Sequence, residues 1–331
     1  MNAAVIGGGS WGSAFALHLG RLHQKTLLWV RETEVYKDLR ENHRNGTFLP
    51  GFEFPSEVSF SNDIQETAAF APVLFVAVPS RFCRQVFIDI APVLKSGQIV
   101  VSLTKGIEES SLKRMTEVMA EVFSRPALPR LAVLSGPSFA REVAGELPTA
   151  VVVASEDTEV AQAIQRFVSN IQFRAYTSGD VIGVELAGAV KNVIAVAAGI
   201  SDALHFGHNP RAALITRGIA EMTRLGLRCG ARKETFLGLA GIGDLVLTCT
   251  AQQSRNYHVG HELGKGRPLS EIQAETKMVA EGITTTLSVR ALAGREGVEM
   301  PICAEVYRVL YENKNPEESL RDLMLRTLKV E

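Results

Sequence analysis

Short apolar runs recur along the first half of the chain, and each is separated from the next by a stretch long enough for a helix. The runs are rich in branched residues and do not alternate with polar ones, which is typical of strands buried on both faces of a parallel sheet. We therefore predict an α/β fold with a doubly wound, mainly parallel sheet. The predicted strand regions are Ala3–Ile6, Thr26–Val30, 72–80, 97–106, 130–138, 149–155 and Gln172–Tyr176.

Other parts of the chain carry a different pattern. The polar segment RENHRNGTFLPG, at 40–51, contains turn residues and is predicted to be a loop. From about Val181 the pattern is helical to the end, with Gly or Pro breaks between segments. We predict a sheet domain at 1–180 followed by an all-α domain at 181–331. The predicted helices are Val181–Ile200, 211–226, 232–239, 254–265, 270–276, 283–297 and 301–312.

Three glycines follow the first predicted strand in the spacing Gly7-x-Gly9-x-x-Gly12. The first allows a tight turn, the second lets a pyrophosphate approach the backbone, and the third lets a helix pack on the strand. The helix N-terminus then offers amide groups to the anion. A glycine-rich hairpin or a chance match is the alternative, but a second predicted strand follows after one helix length. The pattern predicts a Rossmann-type dinucleotide site.

The choice between NAD and NADP stays open from these residues. Past the second predicted strand, where an NAD site usually has an acidic residue for the ribose, the chain has Arg31 and then Glu32. Arginine suits the 2′-phosphate of NADP, whereas Glu32 turned inward would suit NAD.

Composition and charge favour an enzyme that acts on small molecules. The 331 residues exceed the size at which a single core stops growing, and 46% of them are hydrophobic, enough to fill two domains. The formal net charge is -1 and the two signs are interspersed. This pattern argues against nucleic acid or an anionic membrane as the partner.

Cysteine usage and the N-terminus indicate a cytoplasmic protein. Met1-Asn2 leads directly into the first predicted strand, so we expect no signal peptide. The cysteines lack CxxC spacing, as is usual in a reducing compartment. They are Cys83, Cys229, Cys249 and Cys303.

The helix predicted at Val181–Ile200 is long enough to cross a membrane. It carries Glu185, Lys191 and Asn192, and an ionised residue there costs about 2.5 kcal/mol or more in lipid. We predict a buried helix and no membrane span.

The ends of three predicted strands carry small, polar or basic residues. Ligands of open α/β sheets bind outside the carboxyl ends of the strands, so these loops are expected to converge on one cleft. They are Pro79-Ser80, Lys105-Gly106 and Ser135-Gly136-Pro137-Ser138.

Lys191 and Asn192 lie inside the most apolar helix of the chain. A lysine there is desolvated, which makes it a candidate for general acid/base chemistry. The alternative is a structural lysine that snorkels or pairs with Glu185 or Asp180. Because lysine is rarely buried without a partner or a function, we favour the functional interpretation.

Asp244 follows a glycine in LAGIGDLVLTCT, and Thr248 shares its face if the run is helical. An aspartate at this position is most often a helix N-cap, and it can be a site residue as well. Cys249 lies among apolar neighbours with no histidine close in sequence, so we expect it to be a packing residue and not a nucleophile.

The tripeptide Ser254-Arg255-Asn256 resembles a helix start. Its guanidinium, hydroxyl, amide and terminal N–H groups suit a phosphate, although most such tripeptides are only solvated helix starts. Two HxxH spacings, His205/His208 and His258/His261, lack a third marked ligand, so we predict no metal.

Taken in order, these segments resemble the bacterial NAD(P)-dependent glycerol-3-phosphate dehydrogenases over nearly the whole chain. The resemblance rests on the order and spacing of the matching segments. They are GGGSWGSAFA, LWVRE, FLPG, VPS, TKGI, SGPSFA, LPTA, GVELAGAVKNVIAVAAGI, ALITRG, GLAGIGDLVLTCT, SRN, VAEG and VEMPI.

The resemblance implies hydride transfer between NAD(P) and the pair sn-glycerol 3-phosphate and dihydroxyacetone phosphate, in a homodimer that supplies phospholipid synthesis. It makes Lys191 the proton donor and acceptor, with Lys105, Asn192, Asp244 and Thr248 as companions. It places Lys105, Gly136, Ser138, Lys191, Asp244, Ser254, Arg255 and Asn256 at the substrate. Beyond the three glycines, it assigns the dinucleotide to Ser10, Trp11, Arg31, Phe48, Lys105, Ala140, Arg255, Val279 and Glu281.

Two other functions are compatible with parts of this pattern. A β-hydroxyacid dehydrogenase has a similar two-domain build and a helix-borne lysine, but it would bind a carboxylate and have little need for the clamp at 254–256. A dinucleotide-sensing protein would bind cofactor without turnover, and the buried Lys191 with Asn192 argues against it.

Overall fold

The apolar runs of the first half of the chain form one sheet in the computed structural model, which describes residues 2–123, 129–275 and 278–327. The chain divides into two units, Met1–Glu108 with Lys113–Glu185, and Glu109–Leu112 with Leu186–Glu331. The strands are β1 Ala3–Ile6, β2 Thr26–Trp29, β3 Arg44–Asn45, β4 Leu49–Glu53, β5 Val58–Ser61, β6 Val73–Val76, β7 Ile99–Ser102, β8 Arg130–Ser135, β9 Thr149–Ala154 and β10 Phe173–Ser178.

The sheet has eight strands in the order β10-β9-β8-β7-β6-β1-β2-β5. Its neighbouring strands are parallel except for β8 and β9, which pair antiparallel. The predicted doubly wound, mainly parallel sheet is therefore confirmed. The strand order reverses direction between β1 and β6, and in such sheets the crevice at the reversal is where ligands bind.

The helices of this unit supply apolar cores to the sheet. They are α1 Ser10–Arg21, α2 Thr33–Asn42, α3 Ile64–Phe70, α4 Ser80–Ile90, α5 Met115–Val122, α6 Ala140–Ala144 and α7 Thr158–Val168. In β1, Ala3 and Val5 belong to one core cluster, and Ala4 and Ile6 face the other. Because both faces of the strand are covered, every position must be apolar, which explains the unbroken runs.

The predicted loop at 40–51 is wrong. The C-terminal end of α2 occupies its first residues, and β3 and β4 then form a separate two-stranded antiparallel sheet. Strand β5, which extends the main sheet beyond β2, also escaped prediction. These short strands are half polar, and tertiary contacts stabilise them more than their own apolar pattern does.

The described part of the second unit is helical, as predicted. A π-helical turn at Leu239–Gly243 precedes α11, and the end of the predicted segment 270–276 lies outside the described residues. Helix α16 was not predicted. The helices are α8 Val181–Ala203, α9 His208–Arg228, α10 Lys233–Phe236, α11 Asp244–Thr250, α12 Arg255–Gly264, α13 Leu269–Ala274, α14 Glu281–Glu296, α15 Pro301–Tyr311 and α16 Pro316–Met324.

Helix α8 is long and apolar enough to cross a membrane, but 89% of its most apolar window is buried inside the protein. The only other described segment that passes the same test is a pair of helical stretches, Lys233–Thr250 and Arg255–Gly264, bent by 46°. Burial against protein accounts for the apolar character of α8, which agrees with the predicted core helix.

Helices α8 and α12 pack so closely that their backbones are in contact. A Cβ added to Gly199 would lie 2.0 Å from the carbonyl oxygen of Tyr257, and one added to Gly260 would lie 2.0 Å from that of Val196. No larger residue fits at either position while the helices keep this separation. The two glycines thus set how closely the helices approach.

Glu221 of α9 caps the N-terminus of α15 from a distance in sequence. Its carboxylate accepts hydrogen bonds from the backbone N–H of Ile302, at 2.8 Å, and of Cys303, at 3.3 Å. Desolvation is the larger influence, and it raises the pKa of Glu221 from 4.5 to about 7. The contribution of Glu221 to the free energy of unfolding therefore depends on whether its carboxyl group is protonated.

We expect Glu221→Gln to flatten the dependence of stability on pH. The folded state binds this proton more tightly than the unfolded chain, so the stabilisation is complete below pH 4.5 and is lost as the pH rises through about 7. Between about pH 5 and pH 8, wild type should lose stability relative to the variant, on the order of 3 kcal/mol. Thermal or urea denaturation across this range measures the difference, and a constant difference would contradict the assignment.

Candidate active site

The glycine turn between β1 and α1 fits a bound pyrophosphate. Gly7 has φ +123°, and a Cβ there would lie 2.6 Å from the carbonyl oxygen of Ala77. A Cβ on Gly12 would lie 1.9 Å from the carbonyl oxygen of Gly7, so this glycine allows the helix to pack on the turn. A Cβ on Gly9 would meet no atom within 4 Å. The second glycine thus faces open space, as a position approached by a ligand requires.

Asn45 and Ser13 hold this turn in place. The buried Asn45 donates from Nδ2 to the carbonyl oxygen of Gly8 at 2.9 Å and to Ser13 Oγ at 2.8 Å. Its Oδ1 accepts from the backbone N–H of Phe48 at 2.9 Å, which places Phe48 beside the turn. Sequence reasoning missed Asn45, although the Asn45-Gly46 dipeptide in a polar segment was a signal for an ordered turn.

Arg31 and Glu32, at the carboxyl end of β2, bind each other. Arg31 Nη2 and Glu32 Oε1 are 2.8 Å apart, and the Arg31 guanidinium lies 5.4 Å from the centre of the Phe82 ring. An exposed cation on an aromatic ring at this strand end suits an adenosine ribose that carries a phosphate, and the adjacent carboxylate suits a free ribose hydroxyl. Both cofactor types remain compatible with the site.

Three other predicted cofactor contacts lie at helix starts of the same unit. Ser10 begins α1, and Trp11 follows it with its ring 5.6 Å from that of Phe15. The indole N–H of Trp11 is buried and has no partner among the described residues. Ala140 begins α6.

The loops that follow β6, β7 and β8 meet through hydrogen bonds. Thr104 Oγ1 donates to the carbonyl oxygen of Val78 at 2.8 Å. Lys105 Nζ donates to the carbonyl oxygen of Gly136 at 2.8 Å, and Ser138 Oγ donates to the same oxygen at 3.0 Å. These bonds bring the ends of the three strands together, with Lys105, Gly136 and Ser138 among them, whereas the single cleft expected there stays a prediction.

Lys191 lies in the middle of α8 with 7% of its side chain exposed. Its Nζ donates to Asp244 Oδ1 at 2.5 Å and to Thr248 Oγ1 at 2.8 Å, and Thr248 Oγ1 donates to the carbonyl oxygen of Asp244 at 2.6 Å. Asp244 and Thr248 share one face of α11, as the spacing predicted. The carboxylate stabilises the ammonium against the cost of burial, which keeps a cation available in a low-dielectric setting.

The structure corrects two expectations about this cluster. Glu185, considered as the partner of Lys191, accepts instead from Arg114 at 2.6 Å and from Thr116, and burial raises the pKa of Glu185. Asp244 is the first residue of α11 and does not cap it; Gly243 occupies the N-cap position. The carboxylate of Asp244 is thereby left to bind Lys191.

Cys249 is fully buried next in sequence to Thr248. Desolvation raises the pKa of its thiol to about 12, although the charge of Lys191 acts in the opposite direction. Burial thus favours the thiol over the nucleophilic thiolate, in agreement with the packing role predicted from its apolar neighbours.

The tripeptide at 254–256 begins α12, as predicted. Ser254 is the N-cap, and its Oγ accepts from the backbone N–H of Tyr257 at 3.2 Å. Arg255 is accessible to solvent but surrounded by protein: desolvation lowers the pKa of its guanidinium, and the carboxylate of Glu281 opposes this effect. Arginine remains charged in proteins, so the helix start carries a cation beside its N-terminal amides, a combination that suits an anion.

Asn192 and Asn256 join α8, α12 and α14. Asn256 Nδ2 donates to Asn192 Oδ1 at 2.8 Å, and Asn256 Oδ1 accepts from the backbone N–H of Gly282 at 2.8 Å. Gly282 directly follows Glu281, and Val279 lies just before the start of α14. The Asn192 side chain accepts from Asn256 and donates from Nδ2 to the carbonyl oxygen of Gly188 at 3.3 Å.

The histidines do not form a metal centre in the described ranges. No three His, Cys, Asp or Glu side chains there lie close enough together to hold a metal ion. His208 Nδ1 faces Arg211 at 2.8 Å, and His261 faces Glu262 at 3.4 Å.

The predicted site residues thus fall into two sets, one in each unit. The sheet unit contains Gly7, Gly9, Ser10, Trp11, Gly12, Arg31, Phe48, Lys105, Gly136, Ser138 and Ala140. The helical unit contains Lys191, Asn192, Asp244, Thr248, Ser254, Arg255, Asn256, Val279 and Glu281.

Known proteins resemble this chain over its full length. Two family models match it: NAD-dependent glycerol-3-phosphate dehydrogenase N-terminus over residues 2–161, and the C-terminus of the same enzyme over residues 180–321. Glycerol-3-phosphate dehydrogenase (NAD(P)+) of Geobacter sulfurreducens is 51% identical over 99% of this chain and 98% of its own. The enzyme of the same name from Syntrophotalea carbinolica is 50% identical over 100% of this chain and 99% of its own.

A solved structure agrees with the fold in detail. The crystal structure of glycerol-3-phosphate dehydrogenase from Coxiella burnetii has a TM-score of 0.95 to this chain at 39% identity, over 98% of this chain and 99% of the other.

The glycine turn allows a paired test. We expect Gly9→Ala to leave the thermal midpoint near that of wild type, because the methyl group meets open space, and to weaken NAD(P)H binding by at least about tenfold. Gly12→Ala should instead destabilise the fold by more than about 2 kcal/mol, because its Cβ meets the Gly7 carbonyl. Fluorescence titration and thermal denaturation measure the two effects. Equal cofactor affinity in Gly9→Ala and wild type would show that the turn does not bind the dinucleotide.

Proposed function

Because this chain belongs to the NAD-dependent glycerol-3-phosphate dehydrogenase family, we propose that Lys191 is the residue that exchanges a proton with the substrate oxygen. The enzyme is an oxidoreductase that interconverts sn-glycerol 3-phosphate and dihydroxyacetone phosphate with NAD(P). The observation that supports the proposal is the buried ammonium of Lys191, held by the Asp244 carboxylate and the Thr248 hydroxyl.

The chemistry follows from where charge develops. When bound, the nicotinamide cofactor supplies the hydride for the ketone carbon, or takes it up in the reverse direction. Reduction turns the carbonyl oxygen into an alkoxide, and the Lys191 ammonium stabilises that negative charge and then donates the proton. In the reverse direction the neutral amine of Lys191 accepts the hydroxyl proton. A low-dielectric setting strengthens this electrostatic stabilisation.

Asp244 and Thr248 orient the amine for this exchange. The carboxylate favours the ammonium form despite burial, and the hydroxyl restricts the direction in which Nζ points, because it accepts at 2.8 Å. The group that must carry the proton therefore keeps both its charge and its position. We assign Lys105 a supporting electrostatic role and Asn192 a positioning role.

The phosphate of the substrate is assigned to the start of α12. Arg255 provides a charged guanidinium, and the N-terminal amides of the 10-residue α12 add their partial positive charge. Anchoring the phosphate holds the three-carbon chain so that one face of the ketone meets the hydride. Gly136 and Ser138 are assigned to the substrate from their place in the loop after β8.

The wider role follows from the product. We assign the enzyme to the cytoplasm, as a homodimer, and to the supply of glycerol 3-phosphate for membrane phospholipids. The domain boundary proposed for these roles is 1–180 for the dinucleotide domain and 181–331 for the substrate domain.

Turnover of dihydroxyacetone phosphate tests the function and the role of Lys191. Wild type should oxidise NADH or NADPH in the presence of this substrate, and separate assays determine which cofactor it prefers. Lys191→Met should lower kcat by about 100- to 10 000-fold, because the transition state loses its proton donor. Binding of NADH, followed by fluorescence, should persist.

Two controls complete this experiment. Lys191→Met leaves Asp244 buried without its partner, so the double variant Lys191→Met with Asp244→Asn separates lost catalysis from lost folding. If both variants lose NADH binding as well as turnover, Lys191 does not have the proposed role in proton exchange.

The phosphate assignment has its own test. Arg255→Ala should raise KM for dihydroxyacetone phosphate by about 100-fold, which corresponds to roughly 3 kcal/mol, because a charged hydrogen-bonding partner is removed. Arg255→Lys keeps the charge but loses the planar fork, so its KM should lie between those of wild type and Arg255→Ala. An unchanged KM in Arg255→Ala would show that the substrate phosphate binds at another position.

A further inference from the structure

A pocket lies among helices α8, α9, α15 and α16 of the helical unit. It contains about 390 Å³ of empty space, part of which is open to solvent. Among the described residues, its lining includes none of those assigned above to the cofactor, the substrate or the proton exchange. A ligand in this pocket would therefore bind without contacting the candidate active site.

Three of these helices face the pocket with residues at positions i, i+3, i+4 and i+7, which is the spacing of one helix face. The series begins at Ile302 in α15 and at Pro316 in α16. In α8 it consists of Ala197, Ile200, Ser201 and Leu204. Each face is apolar apart from one residue, so the walls of the pocket suit a hydrocarbon chain.

The polar residue of each face is Ser201 in α8, Glu305 in α15 and Ser319 in α16. Ser201 and Ser319 are only 3% and 5% exposed, and neither hydroxyl has a hydrogen-bond partner among the described residues. A buried hydroxyl without a partner is destabilising, and such groups are uncommon in folded proteins. Two of them at the walls of one pocket indicate that a group inside the pocket completes their hydrogen bonds.

The charges beside the pocket are balanced. One oxygen of the Glu305 carboxylate accepts from Arg308, and the other accepts from Lys314 Nζ at 2.6 Å. Lys314 Nζ also donates to Asp322 at 2.5 Å, so two carboxylates face two cations. A charged group that entered the pocket would lose its hydration without gaining an unpaired counter-ion. The pocket therefore favours a neutral ligand.

We propose that this pocket binds a neutral aliphatic alcohol, whose alkyl chain packs on the apolar faces of α8, α15 and α16 and whose hydroxyl bonds to Ser201 and Ser319. An alcohol hydroxyl donates one hydrogen bond and accepts others, so a single group can pair with both serines. A hydrocarbon would leave both serines unpaired. Water would pair with them but would gain nothing from the apolar walls.

Calorimetric titration of the full-length protein with 1-butanol, 1-pentanol and 1-hexanol tests the proposal. The affinity should rise by about fourfold for each added CH₂ group that becomes buried. Hexanoate and hexylammonium have the same chain length but carry a charge, and they should bind at least about tenfold more weakly than 1-hexanol. Saturating NADH and sn-glycerol 3-phosphate should leave the affinity for 1-hexanol unchanged, because the pocket shares no residue with their assigned positions.

Four variants locate the bound alcohol. Ser201→Ala and Ser319→Ala should each lower the affinity for 1-hexanol by about fivefold, because each removes one hydrogen bond. Ala197→Leu fills part of the pocket and should lower it by more than about tenfold. Thr285→Val is the matched control: the Thr285 hydroxyl is also buried without a partner among the described residues but does not line the pocket, so this variant should bind as wild type does. Thermal denaturation shows whether each variant is folded.

Three results would overturn the inference. If 1-hexanol shows no saturable binding to wild type, the pocket takes no alcohol and the serines pair with water. Equal affinity of 1-hexanol for wild type and both serine variants would show that their hydroxyls do not bind the ligand, and this comparison stands even if Ala197→Leu fails to fold. Binding of hexanoate as tight as that of 1-hexanol would contradict the preference for a neutral ligand.

Discussion

The buried ion pair between Lys191 and Asp244 is the interaction on which the functional architecture depends. An ammonium inside an apolar helix is costly to desolvate, and only a closely placed carboxylate and hydroxyl make its burial tolerable. The pair also joins α8 to α11, so the contact that stabilises the buried ammonium also holds two helices of the helical unit together. The atoms to which we assign the proton exchange are therefore also atoms that hold the helices in place.

The sheet unit solves a different problem, because it must bring backbone close to a dianionic pyrophosphate. At Gly7 and Gly12 the structure leaves no room for a side chain, whereas at Gly9 it leaves open space. Asn45 and Ser13 then hold the turn by hydrogen bonds from outside the motif. The glycine pattern is thus one part of a larger arrangement that includes a polar residue more than thirty positions away.

In the helical unit, close contact between helix backbones sets the distance between α8, α12 and α14. Glycines where α8 meets α12, and at the start of α14, allow the backbones of these helices to approach closely. Asn192 and Asn256 then form hydrogen bonds across these contacts. These contacts resist displacement of the helices. The Asn256 side chain makes two buried hydrogen bonds, and a shift of either neighbouring helix would break one of them.

The local pattern predicted every strand of the main sheet except β5, because burial on both faces demands unbroken apolar runs. It also marked the buried lysine, because a charge inside an apolar helix is unusual. The pattern did not predict strand β5, the β3–β4 pair or helix α16, since their residues are polar or mixed and form no apolar run. The sequence pattern also did not show which carboxylate pairs with Lys191. Asp244 lies 53 positions away, whereas Glu185 and Asp180 are close along the chain, and no periodicity connects residues on different helices. Which candidate groups meet is decided by helix packing, because a hydrogen bond depends on distance in space and the chain pattern encodes only distance along the backbone.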